Sequence, residues 1–248
     1  PARNGRFPVK LSAPLYYLKR KAKTLSRREG VALHVALDRI AVTEGYSAWS
    51  LLSAKAAERS PAAVLFPQFV PGDCLVLGAR PGQGKTRLAL ELVVEALRNG
   101  RRGAFFTLEY TERDIVERFD TLGAQAARFA DRFTFDCSDT ICADRIVGTL
   151  ANAPRGTLAV IDYLQLLDQK RSNPALADQV RALRTFGRER GIVFVFVSQI
   201  DRTFDLSGKA IPGMDDIRLP NPLDLSLFDK TCFLNDGEVR FEASARTG

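Results

Sequence analysis

Residues 78–86 read Gly-Ala-Arg-Pro-Gly-Gln-Gly-Lys-Thr and connect two segments with different hydrophobic patterns. The preceding run, Cys74–Leu77, is apolar and typical of a buried strand, whereas Arg87–Leu97 has the spacing of a helix. A glycine-rich loop that leaves a strand and opens a helix binds phosphate groups, because its backbone N–H groups and the positive end of the helix dipole face the anion. The pattern therefore predicts a nucleotide site at the carboxyl end of this strand.

The residues within this loop have separate predicted tasks. Gly82 and Gly84 let the backbone curl so that its N–H groups face the phosphates. Lys85 is expected to reach the β- and γ-phosphates and the Thr86 hydroxyl to bind Mg²⁺, so ATP with Mg²⁺ is the predicted ligand. The first motif position, usually glycine, is alanine here. The predicted nucleotide-binding residues are Ala79, Arg80, Pro81, Gly82, Gln83, Gly84, Lys85, Thr86 and Arg87.

Strand and helix patterns alternate after this loop. Further strands are predicted at Ala104–Leu108, Arg132–Asp136, Leu158–Ile161, Ile192–Val197, Thr231–Leu234 and Val239–Glu242, with a turn at 235–237 between the last two. Helices are predicted to open at Thr111 and to cover Ala175–Arg190, whereas residues 201–226 show no clear period and are predicted as a long loop. The alternation predicts an α/β fold, a doubly wound and mainly parallel sheet with helices on both faces.

The first sixty residues have a different pattern and are predicted as a small helical segment. An apolar stripe for the first helix is formed by Leu11, Leu15, Leu18, Ala22 and Leu25, with Ser12 as its cap. Ser26 and Glu29 have the spacing of a capping box and predict a second helix, and Ser47 is expected to cap a third. The predicted domains are a basic helical segment at 1–60, a linker at 61–72 and the main domain at 73–248.

The net charge of +7 is concentrated in the first thirty residues, which hold nine Lys/Arg and one Glu. A basic segment on a near-neutral body predicts an acidic partner, nucleic acid first, and a solvated helix face remains the alternative. No apolar run approaches the roughly 18 residues of a membrane span, and the first residues do not resemble a signal peptide, so we expect a soluble, cytoplasmic protein. The spacing of the four cysteines does not indicate a zinc site.

Three polar residues come directly after predicted strands. Asp162 follows Leu158–Ile161 and is expected to hold Mg²⁺ directly or through water, as a Walker B acid does. Glu109 is expected to activate the attacking water as general base, and Gln199 to sense the γ-phosphate and signal its loss to the following loop. In a parallel sheet all three lie on one edge, although an exposed polar residue at a strand end is the alternative for Glu109 and Gln199.

Four motifs together resemble the ATPase domain of the DnaB-type replicative helicases, in that family's order. They lie at 78–86, 106–109, 161–167 and 197–202. The resemblance implies a RecA-like fold, a catalytic set of Lys85, Glu109 and Gln199, and metal binding by Thr86 and Asp162. It also implies that Arg80 lies beside the nucleotide, that single-stranded DNA is a partner, and that the chain forms a homo-oligomer, a hexamer in DnaB-like proteins.

One motif of that family is not found. DnaB-type domains present a basic finger to the neighbouring subunit from a Lys-x-Arg-Asn-Gly segment, and here the chain passes almost directly from Leu234 to Gly237. Lys230 and Arg240 are weak substitutes. Three hypotheses follow: a DNA-binding ATPase of the DnaB type, a regulatory ATPase of the same fold that controls a protein partner without unwinding DNA, and a non-enzymatic nucleotide-binding module. The set Lys85, Thr86, Glu109 and Asp162 argues against the third.

Overall fold

The computed structural model describes residues 12–13, 15–58, 60–168, 173–219 and 221–243, which form two compact units divided between Ser60 and Pro61. The described residues of the first unit form helices α1 (Leu15–Glu29), α2 (Leu33–Thr43) and α3 (Trp49–Glu58). Those of the second unit form helices α4 (Pro61–Leu65), α5 (Lys85–Arg98), α6 (Glu112–Thr121), α7 (Ala143–Leu150) and α8 (Leu176–Arg190). Its strands are β1 (Cys74–Ala79), β2 (Gly103–Thr107), β3 (Phe133–Asp136), β4 (Leu158–Asp162), β5 (Val193–Gln199), β6 (Lys230–Asn235) and β7 (Glu238–Ala243).

The first unit is a small helical arrangement with its own apolar centre. Leu18 of α1, Ala41 of α2 and Leu52 of α3 are buried together, and Trp49 packs against them. Of the predicted stripe on the first helix, Leu18 and Ala22 are buried, whereas Leu11 and the side chain of Leu15 lie outside the described residues. Leu18, a residue of this stripe, therefore packs inside the first unit.

The prediction that Ser26 opens the second helix is wrong. The first helix continues to Glu29 and stops at Gly30, whose φ of 65° reverses the chain. The Ser26 hydroxyl lies in the last turn of α1 and donates a hydrogen bond to the carbonyl of Val31 at 2.7 Å. The second helix begins at Leu33 without a side-chain cap. Ser12, predicted as the cap of α1, instead binds Glu44 through its N–H, at 2.7 Å, and its hydroxyl.

The second unit is built on one seven-stranded sheet with the order β3-β2-β4-β5-β1-β6-β7. All neighbouring pairs are parallel except β6 and β7, which form an antiparallel hairpin. Asp236 and Gly237 have positive φ at the turn of this hairpin, as expected for a tight connection. The prediction of a mainly parallel α/β sheet is confirmed.

Two apolar layers cover the two faces of the sheet. Successive residues of β1 alternate between them: Leu75 and Leu77 pack in one layer, Cys74 and Val76 in the other. The first layer contains buried residues of α4, α5 and α6, and the second contains those of α7 and α8. Helices therefore lie on both faces, as predicted, and the carboxyl edge of the sheet carries the loops.

Two segments differ from the sequence-based expectation. Residues 61–72, predicted as a linker, contribute helix α4 and four buried apolar residues to the first layer: Ala62, Leu65, Phe66 and Phe69. Residues 201–226 lack long helices and strands where they are described, as predicted, but Phe204 and Ile217 are buried, and Ile217 pairs with Ile200 in an isolated bridge. Within the described part of the chain, no helix has the length and apolar character required to cross a membrane.

Candidate nucleotide-binding site

The carboxyl ends of the parallel strands bring the predicted site residues to one edge of the sheet. Ala79 at the end of β1 is in register with Gln199 at the end of β5. Asp162 at the end of β4 is in register with Val197 of β5 and with Thr107 of β2. The glycine-rich loop and the ends of β2, β4 and β5 therefore meet at this edge, as the sequence predicted.

The glycine-rich loop has the backbone conformation that its sequence requires. Gly82 and Gly84 have φ values of 81° and 89°, in the left-handed region that side chains rarely adopt. Gly84 is the residue before α5, so Lys85 and Thr86 form the first turn of that helix and are both buried. A helix N-terminus preceded by such a loop presents N–H groups to an anion, and Lys85 adds a positive charge at the same place.

Two side chains fasten this loop to distant segments. Arg80 donates to both carboxylate oxygens of Asp205, at 3.0 and 2.8 Å, and to the carbonyl of Ile200 at 3.0 Å. On the other side, the Asp236 N–H donates to Gln83 Oε1 at 2.9 Å, and Gln83 Nε2 donates to Asp236 Oδ1 at 3.3 Å. Arg80 is therefore tied to the segment that follows β5. A cleft of about 480 Å³ opens beside the loop, between that segment and the hairpin turn.

Asp162 is the most unusual polar residue of this edge. It is fully buried, and neither carboxylate oxygen has a hydrogen-bond partner of normal geometry among the described residues. Burial raises the pKa of Asp162 to about 6, the Lys85 charge and the Thr86 hydroxyl oppose this rise, and the Glu109 charge adds to it. A divalent cation at this position would stabilise the charged form and satisfy the two oxygens, so Asp162 and Thr86 fit a Mg²⁺ ion.

The ligand set around Asp162 also suits magnesium better than a protein-caged metal. No group of three or more His, Cys, Asp or Glu side chains gathers anywhere in the described ranges. Mg²⁺ in nucleotide sites is typically held by one or two protein oxygens together with phosphates and water, so it needs no such group. Arg87, one of the predicted nucleotide-binding residues, lies in the first turn of α5 and forms an ion pair with Glu91 at 2.8 Å.

Glu109 and Gln199 lie where the strands open to solvent. Glu109 is exposed two residues beyond β2, and its N–H donates to Thr107 Oγ1 at 3.0 Å. Gln199 is partly buried at the end of β5, and its backbone carbonyl accepts the N–H of Arg218 at 2.8 Å. The loop that leaves β5 thus returns to the same residue. The roles of both residues stay predictions.

Both substitutes for the basic finger make contacts within their own chain. Lys230 is buried at the opposite, amino end of the sheet, where it binds Asp73 and the carbonyl of Gln68. Arg240 donates to the carbonyl of Pro212 at 2.6 Å. A cation that the sequence analysis did not single out lies nearer to the site: the guanidinium carbon of Arg118 is 4.1 Å from the centre of the Tyr110 ring. Arg118 lies nine positions after Glu109, on the helix predicted to open at Thr111, and this proximity in sequence is the signal that could have identified it.

The basic helix α1 and the loop that follows Gln199 differ in charge. Residues 201–226 contain three Lys/Arg but five Asp, and Lys209 forms an ion pair with Asp216 at 3.0 Å. Helix α1 carries six Lys/Arg and one acid, Glu29, which pairs with Arg28 and Arg39. Most of the α1 cations are exposed. The helix, and not the loop, is the strongly basic surface among the described residues.

Comparisons with known proteins agree with this geometry. A family model described as the KaiC ATPase matches residues 69–215, more than half of the chain. A probable plasmid replicative DNA helicase of Chlamydia muridarum is 27% identical in an alignment of 199 residues that covers 68% of this chain and 44% of the relative. The replicative DNA helicase DnaB of Helicobacter pylori strain J99 is 26% identical in an alignment of 183 residues that covers 60% of this chain and 37% of that protein. The chain thus spans less than half the length of these relatives.

A solved structure shows the same fold. A DnaB-like replicative helicase, studied with its interactions with primase, superposes with a TM-score of 0.56 and 18% identity, covering 89% of this chain and 67% of that one. The resemblance to DnaB-type ATPase domains and the RecA-like fold, both indicated by the motifs, are confirmed by these likenesses.

Proposed function

The chain belongs to the KaiC ATPase family, and from this we propose that it is a Mg²⁺-dependent ATP hydrolase that binds DNA and couples hydrolysis to work on DNA. The observation that carries the nucleotide part is Asp162, a buried carboxylate beside Lys85 and Thr86 whose two oxygens have no hydrogen-bond partner of normal geometry among the described residues. A carboxylate left in this state costs folding free energy, and a bound cation offsets that cost.

The residues of the site divide the chemistry between them. Mg²⁺, held by Thr86 and Asp162, would neutralise charge on the transferred phosphoryl group. Lys85 would bind the β- and γ-phosphates, and the N–H groups around Gly84 would hold the remaining phosphate oxygens. Glu109 would accept a proton from the attacking water, which its exposed position allows. Gln199 would respond to the γ-phosphate through the segment that hydrogen-bonds its carbonyl.

DNA is proposed as the partner from two observations. The relatives are named as replicative DNA helicases, and helix α1 presents exposed cations of which Glu29 balances few. Three of these cations, Arg20, Lys23 and Arg27, are exposed and form no ion pair with a described acid. Single-stranded DNA is the expected ligand, and self-association into a ring remains a prediction that light scattering would test.

A regulatory ATPase of the same fold is the second candidate. It is favoured by the engagement of Lys230 and Arg240 within their own chain and by the excess of Asp in residues 201–226. A ring that unwinds DNA needs each subunit to sense its neighbour's ATP, and a basic finger in trans typically contributes about 10³–10⁵ in rate. We therefore expect slow hydrolysis and no fork unwinding by this chain alone.

The experiment that separates the two candidates is a titration of the ATPase rate with single-stranded DNA at low and high salt. The DNA-binding proposal expects stimulation that weakens with salt, because released counterions drive such binding. The regulatory candidate expects a rate indifferent to DNA at both salt concentrations. Robust fork unwinding by the pure protein would contradict the expectation drawn from the finger.

Matched variants locate the DNA surface. Replacing Arg20, Lys23 and Arg27 with Gln removes three charges from α1, whereas replacing Arg113, Arg128 and Arg181 with Gln removes three exposed charges from the second unit. We expect the first set to weaken DNA binding and to flatten its salt dependence by roughly 0.7 in slope for each phosphate that the variant no longer neutralises. Equal effects of the two sets would assign the binding to net charge alone.

A further inference from the structure

Helix α6 holds one arginine near the carboxyl edge of the sheet. The helix starts soon after Glu109 and Tyr110, and a capping box defines its first turn: Thr111 Oγ1 accepts the Asp114 N–H at 3.3 Å, and Asp114 Oδ2 accepts the Thr111 N–H at 2.9 Å. Ile115 and Phe119 are buried and anchor the helix in the core. The residue before Phe119, an arginine, is therefore held by a rigid element.

The guanidinium of this residue, Arg118, is also held from the other side. Its central carbon is 4.1 Å from the centre of the Tyr110 ring, a distance at which a cation and an aromatic face attract each other. Tyr110 is the next residue after Glu109, so this contact brings the positive charge to the part of the chain that carries the proposed general base.

No carboxylate within the described ranges forms an ion pair with Arg118. The other arginine of the same helix, Arg113, pairs with Glu117 at 3.1 Å and is 87% exposed. Arg118 is only partly exposed and stacks on a ring, which orders it without providing a hydrogen-bond acceptor. Its N–H donors therefore remain available to an anion at this edge of the sheet.

We propose that Arg118 is the same-chain cation of the ATPase site, which offsets the negative charge that develops on the γ-phosphoryl group during hydrolysis. The inference rests on the proposed ATPase function and extends it to a residue outside the four motifs. It adds a cation on α6 to the charge that Lys85 is proposed to provide within the same chain. Because the guanidinium is already ordered on Tyr110, it would act without the entropic cost of immobilising a mobile side chain.

The test compares Arg118→Ala and Arg118→Lys with Arg113→Ala, a matched control on the same helix. We expect Arg118→Ala to lower kcat about 10²-fold with KM changed only a few-fold, as for the removal of one preorganised donor. Arg118→Lys should recover part of the rate, and Arg113→Ala should retain the wild-type rate. Thermal unfolding of each variant confirms that the fold is intact.

A binding measurement separates this role from a structural one. ADP with aluminium fluoride mimics the transferred phosphoryl group, and ADP alone does not. Arg118→Ala should weaken binding of the mimic by a factor similar to the decrease in kcat and leave ADP affinity unchanged. Tyr110→Leu should cause a smaller decrease of the same kind, and Tyr110→Phe, which keeps the ring, should not.

Three outcomes overturn the inference. An active wild type with an equally active Arg118→Ala removes the inference and leaves the proposed function intact. An equal decrease in affinity for ADP and for the mimic would show that Arg118 only stabilises the start of α6. A wild type that neither hydrolyses ATP nor prefers the mimic over ADP would overturn the proposed function itself.

Discussion

Asp162 and Asp229 are both buried carboxylates of the central sheet, but they lie at opposite edges and have opposite surroundings. Asp229 precedes β6 at the amino edge, where it accepts hydrogen bonds from the Cys74 N–H at 3.0 Å, Arg184 at 3.2 Å and Arg188 at 3.0 Å. Asp162 ends β4 at the carboxyl edge and has no such partners among the described residues. The pKa of Asp229 is lowered by its donors against the opposing effect of burial, whereas burial raises the pKa of Asp162.

The two carboxylates show where this fold satisfies a buried charge and where it leaves one for a ligand. At the amino edge, hydrogen bonds satisfy the buried carboxylate, so that Asp229 contributes to folding. At the carboxyl edge, the Asp162 carboxylate is buried without such partners among the described residues, which is unfavourable unless a ligand supplies them. A strongly perturbed carboxylate beside a glycine-rich loop is the kind of residue that marks a functional site.

The largest expected effect is at the cation beside Asp162. Lys85→Ala should abolish hydrolysis and tight ATP binding, because the variant lacks both the phosphate ligand and the charge that opposes burial of Asp162. Phosphate release and nucleotide affinity are the measurements, with Arg98→Ala at the far end of α5 as the control. Turnover at the wild-type rate in Lys85→Ala would sink the ATPase proposal.

Glu109→Gln is expected to have the next largest effect. It should slow hydrolysis by roughly 10²–10⁴ and keep ATP affinity within a few-fold, since the amide keeps the size of the side chain but cannot accept the proton. Single-turnover hydrolysis and equilibrium nucleotide binding check this expectation. If binding weakens while hydrolysis survives, Glu109 is structural and the base lies elsewhere.

The third prediction is that substitutions at the two carboxylates have opposite effects on stability and activity. Asp229→Asn should lower the free energy of unfolding by about 1.5–3 kcal/mol, the usual contribution of hydrogen bonds to a charged group, without changing nucleotide affinity. Asp162→Asn should abolish Mg²⁺-dependent hydrolysis and leave the unfolding free energy, measured without nucleotide, equal or higher. Urea unfolding of both variants tests this difference. A large destabilisation by Asp162→Asn would show that Asp162, like Asp229, stabilises the fold.

The smallest predicted effect is a difference in pH dependence. Asp162 has a folded pKa of about 6 against an ordinary 3.8, so its contribution to stability is complete below 3.8 and is lost as pH rises through about 6. Asp229 has a folded pKa below 3.8, so its contribution is present above that value and is lost as pH falls through the folded pKa. Unfolding of wild type and both Asn variants in magnesium-free buffer should therefore show opposite trends in separate pH ranges: the Asp162 contribution is lost as pH rises from 3.8 to about 6, and the Asp229 contribution is lost as pH falls below 3.8.

The same contrast explains how much the sequence could predict. The sheet was predictable because the buried parallel strands are continuous apolar runs, and the observed strand ends differ from the predicted ones by only one or two residues. The site edge was predictable because it follows from strand direction, which places Asp162, Glu109 and Gln199 together once the sheet is parallel.

The remainder depended on partners far away in the chain. Arg80 meets Asp205 across 125 positions, and no local pattern indicates that pair. Helices α4 and α7 were missed because they are short, with five and eight residues, and their buried residues pack against elements far away in the chain. Ser26 was misread because a Ser followed three residues later by Glu can stand at either end of a helix.

The two clasps on the glycine-rich loop, Arg80 with Asp205 and Gln83 with Asp236, have an evolutionary consequence. Gln83 is held by Asp236, a residue of a hairpin turn that is not among the predicted nucleotide ligands. Turns between antiparallel strands accept insertions and substitutions readily. Substitutions in the turn at 235–237 should therefore change nucleotide affinity among related chains, while every residue predicted to contact the nucleotide stays the same.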